Sequence, residues 1–246
     1  MGAAFGSSSK KDNMKITKKN TGTITLESMN QAKFYNEWIL TKFDRYLSGS
    51  ILEVGCGIGN FTQSLTKYGE VSAIDISSSY VNRAGITVQG KAKIGHGDIE
   101  QGKYFFNSQK FNTVVCLNVL EHIQNDAKAL KNIYRLLEKE GILILLVPAH
   151  EFLFGEVDKA IGHFRRYTKE TLVRQLESLG FEILKARRLN FLGALGWFIA
   201  GRILKETVVK ERNIEIFNLA ARIFLPLENI FEPLVGTSVL VIAQKV

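Results

Sequence analysis

Residues 51–60 read Ile51-Leu52-Glu53-Val54-Gly55-Cys56-Gly57-Ile58-Gly59-Asn60. This pattern predicts a short strand over 51–54, a turn with glycines at alternate positions, and a helix that begins near Phe61. Glycines at such a junction let the backbone turn tightly and approach a ligand, while the first N–H groups of the helix attract anions. Asn60 stands where the dinucleotide fingerprint G-x-G-x-x-G needs its third glycine, so the spacing here is G-x-G-x-G.

Strands and helices alternate on both sides of this turn. Helices are predicted over 34–47, 125–137 and 168–179, and further strands over 71–74, 91–95, 111–117, 142–147, from Phe181 onward and over 238–243. This alternation is typical of an α/β protein, and we predict a Rossmann-like, mostly parallel sheet of seven strands with helices on both faces.

Composition and charge narrow the class of protein. The chain has 246 residues, of which 46% are hydrophobic and 23% charged, which suits one globular domain over 28–246 that needs no disulfide or structural metal. Cys56 and Cys116 lie apart in apolar runs, which indicates a reducing, cytoplasmic location. No apolar run reaches the roughly 18 residues of a membrane-spanning helix.

The N-terminal residues 1–27 are predicted to be a flexible basic tail. Five lysines and one aspartate give residues 1–20 a charge of +4, out of +8 for the chain. We interpret this as a solvated tail rather than an arm for nucleic acid. Residues 1–13 are interpreted as a leader ahead of a second possible start at Met14. They lack the apolar run that a secretory signal needs.

Polar residues end three of the predicted strands. Asp75 ends the second strand, 20 residues after Gly55, Asp98 follows the third, and Asn118 follows the fourth. Because ligands of open α/β sheets bind beyond the carboxyl ends of the strands, we expect these side chains to line one crevice. There Asp75 would accept hydrogen bonds from both hydroxyls of a ribose, and Asp98 would lie near an adenine amine.

This set of motifs resembles the class I S-adenosylmethionine-dependent methyltransferases. The resemblance rests on residues 52–59, Asp75, Gly97-Asp98 and residues 118–122, and it covers about residues 30–190. It implies an antiparallel last strand and S-adenosylmethionine as the cofactor, with Gly55 and Gly57 on the methionine moiety and Glu53 at its amino group. The cofactor-binding residues that it implies are Glu53, Gly55, Gly57, Asp75, Ile76, Asp98, Ile99, Asn118 and Val119.

Two histidines are predicted to be catalytic. Transfer to a hydroxyl needs alignment and a base, and the candidates are His122, just past the fourth strand, and His163, in the loop after the fifth. Arginine forks suit anionic acceptors, so an anionic acceptor is favoured. We predict no metal, because Glu121 and His122, two adjacent residues, make a poor metal site by themselves. The predicted acceptor contacts are Arg165, Arg166, Tyr167 and Trp197.

Residues 191–235 are predicted to fold as a helical cap inserted before the last strand, since a loop of that length is rarely structureless. These residues would pack as a cap, form an apolar wall for a lipid-like or aromatic acceptor, or provide a surface for peripheral membrane contact. The oligomeric state stays open.

The function predicted is methyl transfer to a small molecule, more often to oxygen than to nitrogen. Residues 119–122 look like a segment of small-molecule methyltransferases, including those of quinone biosynthesis, and the Asn-Pro-Pro-Tyr signature of base and glutamine methylation is missing. Three alternatives stay open: a non-catalytic S-adenosylmethionine-binding subunit, an RNA methyltransferase favoured only by the basic tail, and an NAD-dependent oxidoreductase, which Asn60 disfavours.

Overall fold

The computed structural model describes residues 32–204 and 211–246, with the side chains of 211–215 excepted. The predicted tail of residues 1–27 therefore lies outside the described residues. The described part contains a seven-stranded sheet in the order β3-β2-β1-β4-β5-β7-β6. The strands are β1 (Ser50–Val54), β2 (Glu70–Asp75), β3 (Lys93–His96), β4 (Phe111–Leu117), β5 (Leu137–Pro148), β6 (Phe181–Leu189) and β7 (Ser238–Lys245).

The direction of the strands confirms the predicted sheet. Strands β3, β2, β1, β4 and β5 pair in parallel, and β7 runs antiparallel to both of its neighbours, β5 and β6. A doubly wound dinucleotide-binding sheet has the order 3-2-1-4-5-6, without an antiparallel strand between the fifth and sixth. The sheet thus contradicts the alternative of an NAD-dependent oxidoreductase.

Helices cover both faces of the sheet. They are α1 (Lys33–Leu40), α2 (Thr62–Leu65), α3 (Ser78–Val88), α4 (Asp126–Leu136), α5 (Glu156–Ile161), α6 (Lys169–Glu177), α7 (Phe191–Phe198) and α8 (Glu211–Phe224). A π-turn at Ile199–Ile203 follows α7, and a 3₁₀ turn at Leu225–Asn229 follows α8. Residues 191–235 are therefore largely helical where they are described, as predicted.

Two apolar cores result from the alternation of side chains along the strands. In β5, Leu143, Leu145 and Val147 pack on the face that α4 and α6 cover. Ile144 and Leu146 pack on the opposite face, against the residues of α1 and α8. Both faces of this strand are buried, which explains why its sequence is a continuous apolar run rather than an alternating one.

Three helix predictions needed correction. The helix predicted over 34–47 ends at Leu40, because Phe43 leaves helical geometry with a φ of −138° and a 3₁₀ turn follows. Phe43 and Leu47 are nevertheless buried, so the regular spacing of these apolar residues reflects their burial and not a continuous helix. The helix after the glycine turn is a single turn, α2, and the loop predicted after β5 contains α5.

No helix among residues 32–204 and 211–246 combines the length and the apolar character that crossing a membrane requires.

Candidate active site

Asp75 joins the glycine turn to the end of β2. Its Oδ2 accepts the Gly57 N–H at 2.9 Å, and its Oδ1 accepts the Ser77 N–H at 2.8 Å. Burial raises the pKa of this carboxyl, while the two N–H donors oppose that shift. Each oxygen accepts one bond here and has a second lone pair. The Asp75 side chain is thus held rigidly and can still accept hydroxyl groups.

Both the backbone conformation at position 55 and the neighbouring side chain require a glycine there. Its φ is +74°, a conformation that L side chains rarely adopt, and a Cβ atom there would lie 2.2 Å from Cγ2 of Val119. Asn118, just before Val119, also has a positive φ of +54°, which asparagine tolerates better than most residues. The glycine turn and the residues after β4 are therefore in direct contact, as one crevice requires.

Glu53 is buried at the bottom of this region. Its Oε2 accepts a hydrogen bond from the Thr62 hydroxyl at 2.5 Å, and burial raises the pKa of the carboxyl to about 8. Thr62, at the start of α2, was missed by the sequence reasoning. A hydroxyl at the start of a helix, nine residues after a carboxylate, is the signal that was available.

Ile76 directly follows the end of β2, and Asp98 and Ile99 follow the end of β3. Asp98 follows β3 and forms a tight turn, in which its carboxylate accepts the Gln101 N–H at 2.9 Å. Ile76 is 67% exposed directly after Asp75, so its side chain can cover a flat ligand. The side chain of Ile99 packs in the core, and the predicted contact of this residue with the cofactor stays a prediction.

A second group of side chains meets just beyond β4, where Glu121 and His122 lie on the 3₁₀ turn Leu120–His122. We call Glu121, His122, Asp158, His163 and Arg166 the histidine cluster. The rings of His122 and His163 meet edge to face with centroids 4.6 Å apart, and Nε2 of His163 lies 3.7 Å from Oε1 of Glu121. The Glu121 carbonyl accepts the Phe164 N–H at 2.8 Å, which ties the loop after α5 to the turn after β4.

Glu121 is the member of the cluster whose side-chain oxygens lack hydrogen bonds. Its side chain is fully buried, and neither carboxylate oxygen has a hydrogen-bond partner. Burial raises the pKa of Glu121 to about 7, although the nearby His163 opposes the shift. Desolvation and the neighbouring His163 lower the pKa of His122, even though part of that residue faces solvent.

Asp158 holds the cluster together from α5. Its Oδ1 accepts His163 Nδ1 and Arg166 Nε, both at 2.8 Å, and its Oδ2 accepts Arg166 Nη2 at 3.2 Å. Trp197 Nε1 adds a bond to Oδ2 at 3.1 Å. Although burial alone would raise the pKa of Asp158, His163 and Arg166 hold it well below its usual range. Asp158 is fully buried and was not predicted, since no motif marks it.

This geometry changes the role of the residues predicted to contact an acceptor. The Arg166 fork is occupied by Asp158, and its Nη1 donates to the Ala149 carbonyl at 3.0 Å, so Arg166 supports the cluster rather than offering a free fork. Arg165 pairs with Asp126 at 2.9 Å and remains partly exposed. The Tyr167 hydroxyl donates to the same carboxylate at 3.0 Å.

The structure therefore brings most of the predicted site residues to the carboxyl edge of the sheet. Glu53, Gly55 and Asp75 lie at the ends of β1 and β2, and Asn118 follows β4. The histidine cluster continues from there. Strands β1 and β4 are neighbours at the point where the strand order reverses, which is the usual ligand position in open α/β sheets.

Comparisons with known proteins agree with this arrangement. Residues 30–186 match the family model described as a methyltransferase domain. An uncharacterized protein of Methanocaldococcus jannaschii is 31% identical over 157 residues, 64% of this chain and 65% of that protein. A ubiquinone biosynthesis O-methyltransferase of Rickettsia bellii is 27% identical over 158 residues, 57% of this chain. The chain thus spans 65% of the length of each relative.

A solved structure shares the fold. The N-methyltransferase NodS from Bradyrhizobium japonicum, in complex with S-adenosyl-L-homocysteine, superposes with a TM-score of 0.55 at 14% identity, over 85% of this chain and 84% of its own. The sheet described above is the class I fold of S-adenosylmethionine-dependent methyltransferases. The chain belongs to the methyltransferase-domain family, whose model covers most of its length.

Proposed function

We propose that this chain transfers a methyl group from S-adenosylmethionine to a hydroxyl oxygen of a small molecule. One observation carries the proposal: the histidine cluster begins directly after Asn118 and Val119, which lie against the glycine turn. Groups able to act on a hydroxyl proton thus adjoin the residues proposed to bind the methyl donor. The O-methyltransferase activity named for the Rickettsia bellii relative supports oxygen as the acceptor atom.

The donor-binding residues fit S-adenosylmethionine. The Asp75 carboxylate, fixed by two N–H bonds, has lone pairs for the ribose hydroxyls, and the exposed Ile76 beside it can cover the adenine. Glu53 would support the amino group of the methionine moiety. When bound, the sulfonium supplies a methyl group that is already activated, so the chain's own residues need to align the acceptor and remove its proton.

Two routes for removing that proton are open to the cluster. An imidazole can take it, and His163 is the better candidate because Asp158 fixes its ring. Alternatively, the cluster binds a cation that makes the hydroxyl more acidic. In the first route His122 and His163 act on the acceptor, as the sequence predicts. In the second route they would hold the cation instead.

The acceptor is proposed to be lipid-like or aromatic, because an exposed apolar surface adjoins the cluster. Trp197 of α7 contacts Asp158 and belongs to the segment 191–234, whose exposed apolar side chains we call the apolar helix surface. Its exposed members among the described residues are Phe191, Leu195, Phe198, Ile199, Ile203, Leu204, Ile216, Leu219, Ile223, Phe224, Leu227, Ile230, Phe231 and Leu234. Most exposed large apolar side chains of the described residues belong to this set, and large apolar patches usually mark interaction sites.

Peripheral membrane contact follows from the same surface. Arg202 and Arg222 are exposed next to it and would meet anionic headgroups, whereas Lys205, Lys210 and the side chain of Arg212 lie outside the described part of the chain. Apolar burial combined with attraction to anionic lipid is how amphipathic surfaces bind a bilayer.

Binding and transfer test the function separately. Titration calorimetry with S-adenosylmethionine should show one site, and donor labelled in its methyl group should label hydroxylated aromatic and isoprenoid acceptors. Binding without transfer to any acceptor would favour the non-catalytic subunit. Transfer to RNA alone would favour the RNA alternative, and transfer only to amines would overturn oxygen as the acceptor.

Flotation with liposomes tests the membrane contact. Wild type should float with anionic liposomes at low salt and less at high salt, because screening weakens the arginine contribution. Leu219→Gln with Ile223→Gln, two exposed residues one turn apart on α8, should reduce flotation. Ile86→Gln is the matched control, since Ile86 is 79% exposed on α3, outside this surface. Equal flotation of the α8 variant and the control would contradict the proposal.

A further inference from the structure

We propose that Glu121, His122 and His163 bind a divalent transition-metal ion of the Zn²⁺ type. One potential ligand atom of each side chain lies within 4.8 Å of those of the other two. This site goes beyond the proposed methyl transfer and does not depend on it. The sequence alone disfavoured a metal, because Glu121 and His122 are adjacent and make a poor site by themselves. The fold supplies a third ligand, His163, from the loop after α5.

Glu121 provides the first independent reason. A carboxylate that is fully buried and has no hydrogen-bond partner on either oxygen is costly and rare in native proteins. Buried charges are ordinarily paired or coordinate metals. The two oxygens of Glu121 therefore call for a cation, and each imidazole places a nitrogen within 4.8 Å of this carboxylate.

The proton position on His163 provides the second reason. Asp158 is a carboxylate that accepts bonds from Arg166 and Trp197, so it can only accept from Nδ1 of His163. Neutral His163 then carries its proton on Nδ1 and presents the Nε2 lone pair, which lies 3.7 Å from Oε1 of Glu121. Two acceptors face each other at a distance too long for a direct hydrogen bond. A cation between them satisfies both.

The surroundings match those of known metal sites. Metal-binding histidines usually donate their second N–H to a carboxylate or carbonyl, as His163 does to Asp158. Bonds of 2.0–2.2 Å place the ligands of a tetrahedral ion about 3.4 Å apart. The 3.7 Å separation of Nε2 of His163 and Oε1 of Glu121 nearly meets this, and the ligand atoms of all three residues lie within 4.8 Å of one another.

The ligand set selects the kind of metal. Two imidazoles and one carboxylate, with a position left open, are typical of catalytic Zn²⁺ and of other first-row transition ions, whereas Mg²⁺ prefers oxygen ligands. Exposure of His122 leaves room for a water molecule or a hydroxyl as a further ligand. With the metal bound, the two histidines are ligands rather than bases.

The experiment measures metal binding directly on the full chain after treatment with a chelator. Titration with Zn²⁺ should show one tight site, Co²⁺ should give visible absorption bands of a low-coordinate ion, and Mg²⁺ should bind far more weakly. Glu121→Gln and His163→Gln should each weaken Zn²⁺ binding by at least about 100-fold, which exceeds the usual loss when a residue that only hydrogen-bonds to a metal ligand is changed. His96→Gln is the matched control, because His96 is exposed on β3, away from the cluster.

Folding is monitored separately by thermal unfolding without metal. Glu121→Gln should be at least as stable as wild type, because an amide replaces an unpaired buried carboxylate. Zn²⁺ should raise the Tm of wild type and of His96→Gln but not that of Glu121→Gln. Absence of Zn²⁺ binding by wild type, or equal binding by folded Glu121→Gln, would overturn the site. S-adenosylmethionine titrations of the same samples report on the proposed function independently.

Discussion

Glu53, Gly57 and Asp75 each lie within three residues of a strand end, and a backbone N–H links Gly57 to Asp75. The histidine cluster, in contrast, joins side chains from the end of β4, from α5 and from the loop after α5. In the first region, glycines are needed so that the backbone can approach a ligand closely. In the second, one buried carboxylate, Asp158, orders its neighbours by hydrogen bonds. The first region is thus set by backbone geometry and the second by side-chain charge, so substitutions should affect them differently.

The largest expected effect is on folding, from Asp158→Ala in the histidine cluster. Removing this carboxylate leaves the buried Arg166 guanidinium without its partner, which typically costs about 3–5 kcal/mol. Denaturant titration should show this fall in the free energy of unfolding. Glu156→Ala, on the same helix but with a side chain 43% exposed, is the control and should cost less than about 1 kcal/mol. Equal losses would mean that Asp158 does not organise the cluster.

Gly55→Ala should come next, in the glycine turn. The positive φ costs about 1–2 kcal/mol for a residue with a Cβ, and the contact with Val119 adds about 1–3 kcal/mol. Val119→Ala in the same chain relieves the contact but not the backbone strain, so the double variant should recover part of the lost free energy of unfolding. A double variant no more stable than Gly55→Ala would show that the clash with Val119 does not contribute.

Asp75→Ala should lower affinity for S-adenosylmethionine more than it lowers stability. Loss of charge-assisted bonds to the ribose should cost about 1.5–3 kcal/mol, roughly a 10- to 100-fold rise in Kd by calorimetry. Glu70→Ala, an exposed residue at the other end of β2, should bind the donor normally. Unchanged affinity of folded Asp75→Ala would remove this residue from the donor site.

The smallest expected effect is the pH dependence of stability due to Glu53. Its pKa is raised to about 8 by burial, so its contribution to stability is fully present below the unfolded pKa and is lost as the pH rises toward 8. Glu53→Gln should therefore raise Tm relative to wild type by about 2–4 °C more at pH 6 than at pH 5, equivalent to about 1 kcal/mol for this pH step.

The exposed Glu138→Gln on β5 is the control for this measurement and should leave the pH profile of Tm unchanged. A Tm difference between Glu53→Gln and wild type that is constant from pH 5 to pH 8 would refute a raised pKa.

The two regions also differ in how far the sequence predicted them. Glu53, Gly55 and Asp75 were found because each follows a short apolar run, and strand ends meet at one edge of a parallel sheet. Asp158 was missed, because a six-residue helix has too few turns to show a periodic pattern. His163 was predicted as a catalytic residue, but its tautomer depends on Asp158, and the occupation of the Arg166 fork depends on the same contact. Such pairings arise only when distant segments pack.

The position of β7 in the sheet has a consequence for the order of synthesis. Strand β6 pairs with β7 and not with β5, so it cannot join the sheet until β7 has left the ribosome. The whole apolar segment from α7 to the turn after α8 is made in between, which takes a few seconds at ordinary elongation rates. During this interval β5 presents an open edge beside newly made apolar helices, the combination from which strand-to-strand aggregation starts. The nascent chain is therefore most exposed to this kind of aggregation while residues 191–237 are being made.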